Sequence, residues 1–163
     1  MLEFIKDFKS VSLATVNEEF FPHASFAPFI HFNHKYYIFI SKLAQHTKNL
    51  ESSNEASILF IEDEGSCEQV FARKRVSLLC ETQEILRDNP EFDEVMEVFA
   101  KKFDETLIET LKGMSDFLLF ELTPIQGEAI FGFGLAYDIG GPYFEDLLDR
   151  RDSDGHGHRK EDS

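Results

Sequence analysis

Tryptophan is absent, cysteine occurs only at Cys67 and Cys80, and no stretch of the 163 residues approaches the ~20 consecutive apolar residues of a membrane-spanning helix. Each shortage excludes something. Two cysteines in a chain of this length make no disulfide scaffold. Without a Cys-x-x-Cys pair a structural zinc site has no ligand set. With no histidine pattern beside them, Cys67 and Cys80 read as structural or exposed thiols. The opening MLEFIKDFKS lacks the apolar run of a secretory leader, and with unpaired cysteines this predicts a cytoplasmic protein. Basic residues are scarce too: 16 Lys and Arg against 31 Asp and Glu give a net charge of −15. That balance predicts no nucleic-acid partner and no anionic membrane surface.

The abundant residue is phenylalanine, with 18 copies beside 4 tyrosines. Phe buries a large area and brings no polar atom that needs a partner. A Phe-rich chain of this length therefore implies a dense single core or a large apolar interface.

The patterning is mostly that of strands. Residues 2–9 place Leu2, Ile5 and Phe8 at helical spacing, a short opening helix. SVSLATVN (10–17) then alternates, with Val11, Leu13 and Thr15 opposed to Ser12 and Ala14. FFPHASFAPFIHF (20–32) is extended but carries Pro22 and Pro28, which suits an edge or a bulge. Asn33-His34 marks a tight turn before KYYIFISK (35–42). Residues 43–53 turn helical. EASILFIEDE (55–64) is so continuously apolar that burial on both faces is expected. Residues 67–86 read as one or two long strands. Asn89-Pro90 opens a helix with Phe92, Val95, Met96, Phe99 and Phe103 on one face, and a second helix ends at Gly113. Residues 116–139 give two strands, separated by Thr123-Pro124 and Gly127. Little apolar material follows Leu148, so the predicted organisation is a folded domain over 1–142 and an acidic, histidine-containing tail over 143–163 that cannot fold alone. The fold class is mainly β: a small antiparallel barrel with helices.

The order strand–strand–strand–helix–strand around YYIFISKLAQHTKNLESSNEASILFIEDE resembles the pyridoxamine-phosphate-oxidase-like split barrels, whose best-known members bind flavin. FARKRVSL (71–78) and FELTPIQGEAIFGFGLAYDI (120–139) narrow the resemblance to the HugZ/HutZ haem-utilisation proteins. It covers roughly residues 8–141. It implies an antiparallel split β-barrel that works as a homodimer, with haem held between the barrel surface and a C-terminal loop that carries an iron-ligating histidine. It implies oxidative opening of the porphyrin with O2 and an electron donor, releasing iron and a biliverdin-type product.

Placed on this sequence, that chemistry selects a few residues. His156 and His158, each preceded by glycine in Gly155-His156-Gly157-His158, are the candidate iron ligands, since neutral imidazole is the usual proximal donor; read without the family, they are a solvated tail. Arg73, Lys74 and Arg75 are candidates for haem propionates and for charge on bound O2. On a strand, Arg73 and Arg75 would face one way and Lys74 the other, a spacing that would equally suit a flavin phosphate or a solvated strand. Asp138 is a candidate to accept a hydrogen bond from the ligating histidine, or a strand-end acid facing water. Gly132 and Gly134 permit close approach of a ligand or of packed chain. The rival cofactor is FMN, whose phosphate would use Ser41, Lys42, Gln45, His46 and Lys48 at a helix N-terminus. A haem carrier or storage protein without turnover is the third reading. His23, His31 and His34 read as hydrogen-bonded structural residues.

Overall fold

A computed structural model describes residues 1–150 of the chain. Its elements are α1 (Leu2–Ile5), β1 (Ser10–Val16), β2 (Pro22–Phe32), β3 (Lys35–Ser41), α2 (Gln45–Ser52), β4 (Glu55–Ile61), β5 (Arg75–Ile85), α3 (Pro90–Lys102), α4 (Glu105–Lys112), β6 (Phe117–Ile130), β7 (Ala136–Gly140) and β8 (Asp146–Asp149). Eight strands form one antiparallel sheet in the order β3-β2-β1-β4-β5-β6-β7-β8, and an added β3–β6 pairing closes the first six into a barrel. Closure is possible because β6 is long. Its first half, Phe117–Leu122, pairs with β3, and its second half, Gly127–Ile130, pairs with β7. Both halves pair with β5 on the other side.

The phenylalanines fill two cores. Inside the barrel, Phe60 has no exposed surface and meets Phe29 edge-to-face at 5.1 Å and Phe8 at 5.7 Å. Outside it, α3 and α4 cover Ile30, Tyr37, Phe39, Ile85 and Leu119 with Phe92, Val95, Met96, Phe99 and Ile108. The helices begin where their caps dictate: Asn89 Oδ1 accepts from Glu91 N–H at 2.9 Å, with Pro90 in the first turn, and Asp104 Oδ1 accepts from Leu107 N–H at 2.8 Å. Cys80 is buried, and burial pushes its thiol up to about 12, so it is a packing residue. Among the described residues, no helix is long and apolar enough to cross a membrane.

Four details depart from the sequence pattern. The strand buried on both faces is β3, sealed by the barrel on one side and by α3 on the other; on β4 only Ala56, Ile58 and Phe60 are buried, and Ser57, Leu59 and Ile61 are half-exposed. Thr123-Pro124 does not end a strand. The register slips there from Leu79↔Gln126 to Cys80↔Pro124, leaving Ile125 as a bulge, which tolerates a proline that has no N–H to donate. Residues 67–74 are not strand: they hold a single 3-10 turn, Val70–Ala72, before β5 begins at Arg75. Finally, β8 pairs with β7 from Tyr137↔Asp149 to Gly140↔Asp146. The ordered sheet thus runs past the expected boundary at 142, because Leu147 reaches the barrel core.

Candidate functional site

On β5, alternation turns Val76, Leu78 and Cys80 into the barrel and Arg75, Ser77 and Leu79 outward. The register carries that outer face across the sheet: Ser77 stands opposite Leu59 on β4 and Glu128 on β6, and Glu128 stands opposite Asp138 on β7. An open cavity of about 430 Å³ lies over this face, lined among others by Ser57, Ser77, Gln126, Asp138, Phe144 and Arg150. Its charged corner is one guanidinium between two carboxylates. Arg150 Nε donates to Asp138 Oδ1 at 2.7 Å and Nη2 donates to Glu128 Oε2 at 3.0 Å. Those two hydrogen bonds, to Asp138 first, hold the Arg150 guanidinium protonated even more firmly than usual.

A second cavity, of about 280 Å³, is lined by Glu62, Gln69, Ala72, Lys74, Gly132 and Phe133 among others. It joins the two sequence segments that looked distinctive, 71–78 and 131–135. The loop between β6 and β7 is closed by Phe131 N–H to Leu135 O at 2.9 Å. Gly132 and Gly134 sit there at φ +147° and +67°, conformations that disfavour a side chain. A Cβ on Gly134 would meet nothing within 4 Å, so the turn conformation, not packing, requires that glycine. The loop presents Phe133 to solvent, 72% exposed, and Phe71 near the start of the other segment is 86% exposed.

The three basic residues are not placed as one set. Arg73 was expected to face the ligand with Arg75; instead it closes the 3-10 turn. Its Nε donates to the Glu62 carbonyl at 2.6 Å and its Nη1 to the Glu64 carboxylate at 3.3 Å, which pins the 62–74 loop. Lys74 lines the second cavity. Arg75 stands on the outer face two residues before Ser77, steadied by a hydrogen bond from Nη1 to Arg73 O at 2.8 Å. His156 and His158 lie outside the described residues. Asp138 is placed on the first cavity, hydrogen-bonded to Arg150, the last described residue.

At the α2 end, much of the polar chemistry is used within the fold. His46 Nδ1 is 2.9 Å from Ser25 Oγ, and burial, aided by His23, lowers its proton affinity. Gln45 donates to Asn49 Oδ1 at 2.8 Å, and Ser41 Oγ accepts from Leu43 N–H at 3.2 Å. Among the described residues no cluster of three His, Cys, Asp or Glu side chains is arranged to hold a metal ion.

Sequence reasoning missed Ser57, Ser77, Gln126, Phe144 and Arg150. The outward phase of Arg75-Ser77-Leu79 could have pointed to Ser77. Nothing local marks Arg150, whose partners lie 12 and 22 residues away.

Known proteins share this fold. Residues 1–131 match the family described as Pyridoxamine 5'-phosphate oxidase. The chain is 38% identical over 158 residues to the haem oxygenase HutZ of Vibrio cholerae serotype O1, covering 97% of this chain and 87% of that protein. It superposes with a TM-score of 0.76 on a crystal structure of V. cholerae HutZ, described there as a haem storage protein, at 36% identity over 80% of this chain and 93% of that one. A crystal structure of Campylobacter jejuni ChuZ gives a TM-score of 0.78 at 33% identity; 90% of this chain is covered, which spans 59% of that one.

Proposed function

The chain belongs to the pyridoxamine 5'-phosphate oxidase family and to its HutZ-type haem-utilisation group, and from this premise we propose that it binds haem and opens the porphyrin ring oxidatively, with O2 and an external electron donor, to release iron and a biliverdin-type product. The observation that carries the reading is the outer face of β5–β7. It sets the carboxylate–guanidinium pair Asp138–Arg150 on one open cavity and Arg75 on the outer face of β5, while Lys74 and the apolar loop tip Phe133 line a second cavity. Haem is an amphiphile of matching kind, a flat apolar plate with two carboxylates at one edge.

The described residues end on this surface at Arg150, and His156 and His158 follow within eight residues in the sequence. An extended segment of six residues spans up to about 20 Å, enough to bring either imidazole over the face to the iron. Arg75 and Lys74 would pair with propionates. Asp138, now held by Arg150, would accept the far N–H of the ligating histidine and raise its basicity. Haem supplies the oxygen chemistry; the protein supplies orientation and charge. We place the active form as a homodimer. Ser12, Ala14, Ser57 and Ser77 keep the neighbouring outer face low, and Phe26 stands on it 67% exposed, so a second copy can approach the sheet closely and complete the open cavity.

Haemin titration of the full chain tests this. A saturable Soret band is expected, lost or shifted in one of His156→Ala and His158→Ala and in a chain cut before Gly155. Unchanged spectra in all three would overturn the axial assignment. FMN is the second reading, favoured by the family's description and by the α2 N-terminus, where Ala44 provides no side-chain cap. A protein that purifies with flavin absorption and takes up no haem would establish it instead.

A further inference from the structure

The β2–β3 hairpin touches the segment that joins β7 to β8. His34 Nδ1 is 2.9 Å from Glu145 Oε1, and the His34 ring stacks on Tyr143 at 3.8 Å with an 8° tilt. His31 Nε2 lies 3.4 Å from the same carboxylate oxygen, and it is a buried atom with no well-formed hydrogen bond among the described residues. Only 19% of the Glu145 side chain is exposed. Between Tyr143 and Glu145, Phe144 takes φ +53°, an uncommon conformation for a residue with a side chain, and it lines the 430 Å³ cavity. Asn33 and His34 are likewise left-handed, at φ +49° and +64°, as a two-residue hairpin turn requires. A strained strap thus grips the hairpin with its outer residues and presents its middle residue to the candidate site.

We propose that His31, His34 and Glu145 form a proton-released clasp, positioning residues that hold the β7–β8 hairpin, and with it Phe144 and Arg150, in the cavity wall. The groups around His31 come from every neighbouring element. They are Glu145 on the strap, His34 on the turn, Tyr36 on β3 with its ring 4.8 Å away, and Lys102 on α3. Lys6, just after α1, lines a cavity of about 310 Å³ that His31 and Lys102 also line. Burial is the largest influence and lowers the His31 proton affinity; Glu145 opposes it, and His34 and Lys102 add to it. A histidine whose affinity is lowered in the closed form stabilises that form fully above its ordinary value of about 6.5 and loses this as pH falls through the lowered one. Acid therefore opens the clasp.

The effect on haem rests on the reading above; the clasp itself does not. The test is amide hydrogen exchange of the haem-free full chain, corrected for intrinsic rates, between pH 7.5 and 5.5. The wild-type chain should lose protection of β8 amides several-fold toward pH 5.5, with β5 amides unaffected. Glu145→Ala should lower β8 protection about tenfold at pH 7.5, the loss of one or two hydrogen bonds to a charged group. His31→Gln, which cannot gain a proton, should keep protection at pH 7.5 and abolish the acid-dependent loss. Unaltered β8 protection in Glu145→Ala, or a full acid response in His31→Gln, would overturn the proposal. Haemin titration of the same samples separates the two ideas: a working clasp without haem binding rejects the functional reading alone.

Discussion

Along β5, Val76, Leu78 and Cys80 are fully buried, while Arg75, Ser77 and Leu79, one residue out of phase, are half-exposed on the opposite face. Neighbouring strands continue the contrast. Inside the barrel are Phe29, Tyr36, Phe60 and Phe120, shaped to one another; outside are serines, a glutamine, carboxylates and a guanidinium around an open cavity. The inner face specifies the fold, because close packing punishes any change of volume. The outer face tolerates chemical variety at little cost to the fold, and that is where a site can be written.

The largest expected effect belongs to the inner face. Phe60→Ala should destabilise the protein by about 3–5 kcal/mol, read by urea denaturation, whereas Ser77→Ala should change stability by about 0.5 kcal/mol or less. Equal effects would break the distinction. Next comes Gly127→Ala. Its Cβ would lie 2.6 Å from Leu78 Cδ2, 3.0 Å from Ser77 O and 3.1 Å from Ile139 Cβ, so an overpacking loss of about 1–3 kcal/mol is expected in the same assay. Arg75→Ala should act in the opposite sense, weakening haemin affinity about tenfold through one lost charge-assisted contact. Its unfolding free energy should stay within about 1 kcal/mol of wild type. The smallest stability effect is that of Asp138→Asn. The Asp138–Arg150 pair is solvent-exposed, so its loss should change stability by only a few tenths of a kcal/mol, while haem turnover falls several-fold. Turnover equal to wild type would remove Asp138 from the site.

Much of this contrast was legible in the sequence, and the reason is local. Strand alternation in SVSLATV gave the inner and outer faces of β1 directly, Asn89-Pro90 announced the start of α3, and Gly113 marked the end of α4. What was not legible depends on distant partners. Arg73 precedes the strand instead of standing on it with Arg75, because Glu62 and Glu64 hold it at a turn. Thr123-Pro124 reads as a break, but β5 alongside absorbs it as a bulge. The clasp joins His34 to Glu145 across 111 residues, and no spacing rule links them. The family motifs singled out the 71–78 and 131–135 segments; only the folded chain showed that Lys74 lines a cavity with Gly132 and Phe133 while Arg75 stands on the outer face of β5.

The most direct test of the central claim is single-turnover chemistry on the haem-loaded full chain. Ascorbate is added in air, with the Soret band, the bilin region and chelatable iron followed together. Loss of the Soret band with matching growth of a bilin-type spectrum and stoichiometric iron release is the predicted result. A Soret band that persists under these conditions would contradict it and leave a protein that holds haem without degrading it.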